Sequence, residues 1–139
     1  MKVVENQTFD EERAFYGADG LTLKNCRFEG PADGESALKE SRNVVVRDCF
    51  WNLRYPFWHD ENLRIYESEL TENCRAALWY SNNIEIINSK LHGIKALREC
   101  SDIKITDSDV KSLEFGWFSH GINIIKSTFH FSRIIFQAI

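Results

Sequence analysis

A repeat of about twenty residues runs through this sequence. Each of six segments contains a turn residue, two apolar residues separated by one position, a polar pair, a small residue and a further apolar residue. The segments begin at Gly20, Asn43, Asn62, Asn83, Asp102 and Gly121, and their small residues are Cys26, Cys49, Ser68, Ser89, Ser108 and Ser127. We use these small residues as anchors, and their spacings are 23, 19, 21, 19 and 19. A unit this short cannot bury a core alone, so it must stack on its neighbours.

The apolar positions within each repeat alternate. In the first repeat Leu21 and Leu23 precede the anchor and Phe28 follows it, and the other repeats match. Alternation with a period of two marks strands with one buried face. The residue six positions before each anchor is Gly, Asn or Asp, the types that most easily adopt positive φ, so this column predicts a bend. A second apolar cluster, eleven positions before the next anchor, places Leu38, Phe57, Leu78 and Leu97 inward.

These patterns predict an all-β protein, a parallel β-helix solenoid of about six coils over residues 20–139, within a single domain spanning residues 1–139. The alternative is a leucine-rich repeat, because LTLKNCRF resembles the signature L-x-L-x-x-N/C-x-L and the period is similar. Aromatic clusters such as AALWYS stand where leucine-rich repeats place a helix, and the anchor column prefers Ser to Asn. Both features favour the β-helix.

The two ends of the stack need covers, because a solenoid leaves an apolar disc at each end. Residues 1–19 predict a short capping helix, since Thr8 and Glu11 have capping-box spacing and Gly17 follows as a terminator. Phe9 and Phe15 would then lie over the first coil.

The C-terminal sequence HFSRIIFQAI has no charged cap. The predicted interface residues are apolar: Phe131, Ile134, Ile135, Phe136 and Ile139. Either the chain is a shortened form of a longer solenoid, or a second subunit buries this end. We therefore expect a homo-oligomer, most simply a dimer.

Charge and hydropathy exclude several classes of function. The 139 residues carry a formal net charge of −4, which gives no basic face for nucleic acid or an anionic membrane surface. No window has the roughly 18–20 consecutive apolar residues of a membrane-spanning helix. The first residues lack the apolar stretch of a secretory signal, so the sequence predicts a cytoplasmic protein.

Several longer motifs point to a family. They are GPADGESALKESRN, LRYPFWHDENL, CRAALWYSNNIEI, LHGIKALRECSDIKI and EFGW. Together they resemble a family of uncharacterised bacterial proteins expected to form right-handed parallel β-helices of the pectin-lyase-like superfamily. The resemblance spans about Asn6 to Trp117 and corresponds to the N-terminal half of such proteins. It implies a right-handed coil but no established activity, since fold alone does not define function.

One outward column is rich in tryptophan. Ten positions before the next anchor stand Lys39, Trp58, Trp79, Arg98 and Trp117, beside the basic residues Arg54, Arg75 and Lys95; the next column holds Glu40, His59, Tyr80, Glu99 and Phe118. Aromatic faces and basic groups could bind an acidic oligosaccharide, with Trp58, Trp79, Trp117, Arg54, Arg75, Arg98 and Tyr80 as the ligand-binding residues. Alternatively, the aromatic and arginine side chains stack on one another, or a loop or subunit covers them.

Catalytic candidates are weak. His59, Lys95, Arg98 and Glu99 are the nearest to an acid–base set. The nearest carboxyl pair, Asp60 and Glu99, is two coils or about 10 Å apart, which is only marginal for a glycosidase. The four cysteines form no C-x-x-C pair, and His92 and His120 have no partner at ligand spacing, so we predict no metal and no cofactor. The sequence therefore favours a non-catalytic binding or assembly module. A polysaccharide lyase or glycoside hydrolase remains the alternative.

Overall fold

A computed structural model describes residues 2–130 of the chain. These residues form a parallel β-solenoid and include no helix, which confirms the all-β prediction over the leucine-rich repeat. The strands, numbered along the chain, are β1 (Lys2–Glu5), β2 (Thr8–Phe9), β3 (Asp19–Lys24), β4 (Arg27–Phe28), β5 (Arg42–Arg47), β6 (Phe50–Trp51), β7 (Glu61–Tyr66), β8 (Glu69–Leu70), β9 (Leu78–Trp79), β10 (Asn82–Ile87), β11 (Lys90–Leu91), β12 (Leu97–Arg98), β13 (Ser101–Thr106), β14 (Asp109–Lys111), β15 (His120–Ile125) and β16 (Thr128–His130).

The strands stack in three parallel sheets. One seven-stranded sheet has the order β1-β3-β5-β7-β10-β13-β15, a second has the order β16-β14-β11-β8-β6-β4-β2, and β9 pairs with β12. Each coil contributes one strand to each large sheet, so the described chain has seven coils. Paired residues on successive coils are 19, 23, 19, 21, 19 and 19 positions apart, and the last five values are the anchor spacings of the sequence.

The predicted N-terminal capping helix is wrong, and this error accounts for the additional coil. Thr8 and Phe9 lie in β2 and pair with β4. The backbone N–H groups of Arg13, Phe15 and Gly17 donate to carbonyl oxygens of the second coil at 2.7–3.0 Å. A helix would withdraw these donors from the stack, so pairing with the next coil overrides the local capping signal. Phe9 and Phe15 nevertheless pack on the ring of Phe28, at centroid distances of 5.3 and 6.2 Å.

Left-handed residues make the bends of every complete coil. The predicted column of Gly20, Asn43, Asn62, Asn83, Asp102 and Gly121 has φ values between +55° and +80°, as expected. Three further columns, which begin at Asn6, Arg13 and Gly17, have the same conformation. Asparagine side chains link some of these bends, as in the 2.7 Å hydrogen bond from Asn62 Nδ2 to Asn43 Oδ1.

The inward columns form one continuous core. The residues five and three positions before each anchor are almost completely buried from the second coil to the sixth. Phe28 and Trp51 stack with their ring planes 1° apart and their centroids 3.9 Å apart. The anchor serines form a ladder beside this core: Ser68 N–H donates to Ser89 Oγ at 3.1 Å, while Ser68 Oγ donates to the carbonyl of Tyr66 at 2.9 Å. The anchor position therefore needs a small side chain that both donates and accepts.

Gly93 provides a test of the stacking distance. A Cβ atom at this position would overlap the carbonyl oxygen of Cys74 on the preceding coil, and backbone cannot move aside without breaking the register. We expect Gly93→Ala to lower the free energy of unfolding by about 1–3 kcal/mol or more, measured by urea denaturation. Gly20→Asn is the control, because Asn43 and Asn62 occupy the same column and nothing lies within 4 Å of the added Cβ. Equal stability of the two variants would contradict this packing.

Candidate functional site

The tryptophan column lies on the outside of the solenoid, as predicted. We define the tryptophan–arginine face as Trp58, Trp79, Arg98 and Trp117. Trp79 and Arg98 are register partners in β9 and β12, and a further parallel bridge joins Arg98 to Trp117. Each of the four side chains is half-buried.

The members of this face stack on one another. The Trp58 and Trp79 rings are 5.1 Å apart with planes 4° apart, and the Arg98 guanidinium lies 5.2 Å from the centroid of the Trp79 ring. Trp58 Nε1 donates to the carbonyl of Ala76, and Trp79 Nε1 donates to the carbonyl of Lys95, both at 2.6 Å. Neighbours therefore occupy both faces of Trp79, and the indoles are tied to the backbone.

Aromatic surface that is open to solvent lies in the adjacent column. Tyr80 is 37% exposed and Phe118 is 39% exposed. His59 stacks on Tyr80 with the ring centroids 4.8 Å apart. His59, Tyr80, Glu99 and Phe118 all have positive φ, so this column forms a corner of the solenoid.

The four catalytic candidates do not converge on one point. Arg98 and Glu99 are close, with 3.7 Å between Nε and Oε2. Lys95 lies at a different corner and pairs with Glu114, with 3.8 Å between Nζ and Oε2. His59 packs on Tyr80 instead. The described contacts thus bring together one ion pair, but they do not form an acid–base constellation.

The basic residues beside the face differ in their surroundings. Arg54 pairs with Asp33 at 3.3 Å and with Glu35 at 3.8 Å. Arg75 occupies the same column one coil later and is exposed, without an ion pair in the described part of the chain. Lys95 is displaced by one position from this column, because the N–H of Ala76 donates to the carbonyl of Ile94.

Sequence reasoning missed a second polar ladder behind the corner. Its members are Ser41, Asp60, Ser81, Cys100 and Ser119. The recurrence of small residues at this position of the repeat is the sequence signal that could have predicted the ladder. Ser41 N–H donates to Asp60 Oδ1 at 2.8 Å, and Asp60 N–H donates to Ser81 Oγ at 3.2 Å. Asp60 is 3% exposed, and its Oδ2 has no hydrogen-bond partner among the described residues. Burial raises the pKa of Asp60 to about 8.

A second missed feature is an acid between two histidines. His92 Nε2 lies 2.9 Å from Asp109 Oδ2, so His92 does have a partner. His130 Nε2 lies 3.8 Å from the other carboxylate oxygen of Asp109. The two histidines also line a cavity of about 710 Å³ that includes Ile94, Leu113 and Phe129. Histidines separated by 38 positions meet here because each coil advances by 19 residues.

The last described coil exposes positions that are core elsewhere. We define the C-terminal coil surface as Ile122, Ile124 and Phe129. Ile124 is 37% exposed, whereas Ile105, its partner on the preceding coil, is completely buried. The predicted interface residues Phe131, Ile134, Ile135, Phe136 and Ile139 lie outside the described residues.

All four cysteines are buried free thiols. Burial raises the pKa of Cys49 and Cys74 to about 12 and that of Cys100 to about 11. In residues 2–130, no group of three or more histidine, cysteine or acidic side chains is arranged to hold a metal ion. The same residues contain no helix long and apolar enough to cross a membrane.

These features define a parallel β-solenoid protein with an external aromatic–arginine ladder and exposed isoleucines on the last described coil. The sequence matches a family described as "Protein of unknown function (DUF3737)" over residues 2–137, and the chain belongs to this family. The search of curated proteins found no match. Membership of the pectin-lyase-like superfamily stays a prediction.

Two similar solved structures are of trypsin-treated QnrB1, a plasmid-mediated fluoroquinolone resistance protein. The first is 7% identical, covers 91% of this chain and 88% of that chain, and has a TM-score of 0.33. The second is 9% identical, covers 92% and 91% of the two chains, and has a TM-score of 0.27. Similarity at this level carries no argument about function.

The buried Asp60 predicts a pH dependence of stability. Its pKa is near 3.8 in the unfolded chain and about 8 in the folded protein, so folding favours the protonated form. The contribution of Asp60 to the free energy of unfolding is largest below pH 4. It falls as the pH rises from 4 to 8 and is constant above pH 8. Asp60→Asn removes the titration. Its stability relative to the parent should therefore increase by about 1.4 kcal/mol per pH unit between pH 4 and 8.

The measurement is urea denaturation across this pH range. Asp48→Asn is the matched control, because Asp48 is exposed and Asn6 and Asn25 already occupy its left-handed column. If the free energies of unfolding of Asp60→Asn and the parent changed equally with pH, the pKa of Asp60 would be the same in the folded and unfolded chains, and the prediction would be wrong.

Proposed function

We propose that this protein is a non-catalytic, cytoplasmic binding and assembly module that associates with a second copy of itself through the C-terminal coil surface. The observation that carries the proposal is the exposure of Ile124 at a position that is completely buried on the preceding coil. The buried free thiols fit a reducing compartment.

The end of the stack offers a second reason for association. β15 and β16 are the last strands of their sheets, so each presents an unpaired edge of backbone N–H and C=O groups within the described chain. Such an edge is a template for another strand. Apolar side chains beside this edge make pairing favourable, because pairing removes Ile122 and Ile124 from water.

The contacts of the tryptophan–arginine face support a structural role for it. The two faces of the Trp79 ring contact Trp58 and Arg98, and its indole N–H donates a hydrogen bond to a backbone carbonyl. The face therefore helps to hold successive coils in register. The four catalytic candidates near this face do not converge on one point, which favours a non-catalytic protein.

Self-association can be tested on one strand. Ile124→Lys places a charge in the proposed contact, and we expect it to convert a dimer into a monomer by light scattering on a size-exclusion column. Ile125→Lys is the control, because Ile125 is 41% exposed and occupies an outward column in which Lys24 and Arg47 already stand. A parent monomer, or a dimer that survives Ile124→Lys, would overturn the proposal.

A second candidate function is binding of an acidic oligosaccharide along the outer surface of the fourth coil. Tyr80 is 37% exposed at one corner, and Arg75, beside the preceding corner at Ala76, has a guanidinium that forms no ion pair with the described residues. We expect Tyr80→Asn to weaken binding of an oligogalacturonate by about tenfold in a calorimetric titration, which is about 1.4 kcal/mol.

Asparagine tolerates the left-handed conformation of Tyr80, so the fold should survive this substitution. Tyr16→Asn, three coils away, is the control for general loss of aromatic surface. Absence of binding to the parent protein would remove this candidate.

A further inference from the structure

The two ends of the first large sheet differ in the residue that occupies one inward column. Along this column Leu21, Val44, Leu63, Ile84, Ile103 and Ile122 are register partners on successive coils. On the first coil the same column holds Lys2, the partner of Leu21. A charged side chain therefore stands at a core position on the N-terminal edge, and an isoleucine stands there on the C-terminal edge.

A charge that points inward on an edge strand prevents another strand from pairing with that edge. Lys2 is exposed at the end of the stack, where its ammonium group is hydrated. If a second copy stacked head to tail, Ile122 of one copy would cover Lys2 of the other. That contact would bury an unpaired ammonium group against apolar side chains, which is strongly unfavourable. The N-terminal edge is thus protected against pairing.

No such charge stands at the inward positions of β15, the last described strand of this sheet. The inward residues of β15 are Ile122 and Ile124, and the outward residue between them is Asn123. Antiparallel pairing of two β15 strands centred on Asn123 places Ile122 of each copy opposite Ile124 of the other. Shifting that pairing by two residues in either direction sets an isoleucine opposite His120 or Lys126. A shift by one residue exchanges the inner and outer faces.

We infer that the partner is a second copy joined end to end, with the two β15 strands pairing antiparallel about a twofold axis at Asn123. This inference rests on the proposed self-association. The twofold contact uses the same surface on both copies, so assembly stops at a dimer. The protected edges with Lys2 then lie at the two outer ends and block growth into a fibre.

The test is site-specific cross-linking of the full chain. Asn123→Cys places two thiols opposite each other across the axis, and we expect a short bismaleimide to convert most of this variant into a covalent dimer. The native thiols are buried, with at most 3% exposure, and should not react. Lys104→Cys is the matched control, because Lys104 is the register partner of Asn123 on the preceding coil and is also exposed. It should remain monomeric under denaturing conditions.

A mixture of Asn123→Cys and Val3→Cys distinguishes the alternatives. Val3 belongs to the same outward column at the other end of the sheet and is 59% exposed. A head-to-tail contact would cross-link the two variants to each other and not Asn123→Cys to itself. That result, or a dimer by light scattering that gives neither product, would overturn the twofold pairing and leave self-association standing. A monomer by light scattering would overturn both.

Discussion

Register between coils is the constraint on which this structure depends. Backbone groups in the strands and corners of one coil bond to those of the next, so these positions of the sequence become columns that run along the solenoid. A residue is acceptable only if it stacks on its own equivalents. This requirement explains the small residues of the anchor ladder, the left-handed corners and the glycine at position 93, where the backbones meet too closely for a Cβ.

The same constraint shapes the outer surface. Side chains in one column are only about 4.8 Å apart, so aromatic and arginine groups stack on each other and cover the ring faces that a ligand would contact. The Trp58–Trp79–Arg98 ladder follows from this spacing. Aromatic rings reach solvent at the corners, as Tyr80 and Phe118 do, because the chain turns away there. The exposed rings next to the tryptophan–arginine face therefore lie at a corner.

The constraint is unsatisfied at the edges of the described stack, where β1 and β15 each pair with only one strand of residues 2–130. These two edge strands differ in their inward residues. Lys2 interrupts an apolar column at the first coil, whereas Ile122 and Ile124 continue the columns to the last described strand. If the protein self-associates as proposed, this asymmetry favours a closed dimer over an open filament, because only one of the two edges can pair.

The sequence by itself determined the coil length, the inward columns and one set of bends, because a repeated fold repeats its physical requirements in the residues. Leu23, Trp51 and Asn62 could each be placed from spacing alone. Tertiary structure decided the rest. Pairing with the second coil made residues 2–19 a coil and not a helix, and stacking covered both faces of Trp79. It also buried Asp60 in a serine ladder and brought His92 and His130 to Asp109. These outcomes depend on contacts between residues 17 or more positions apart, and local patterns do not show which side chains those contacts cover.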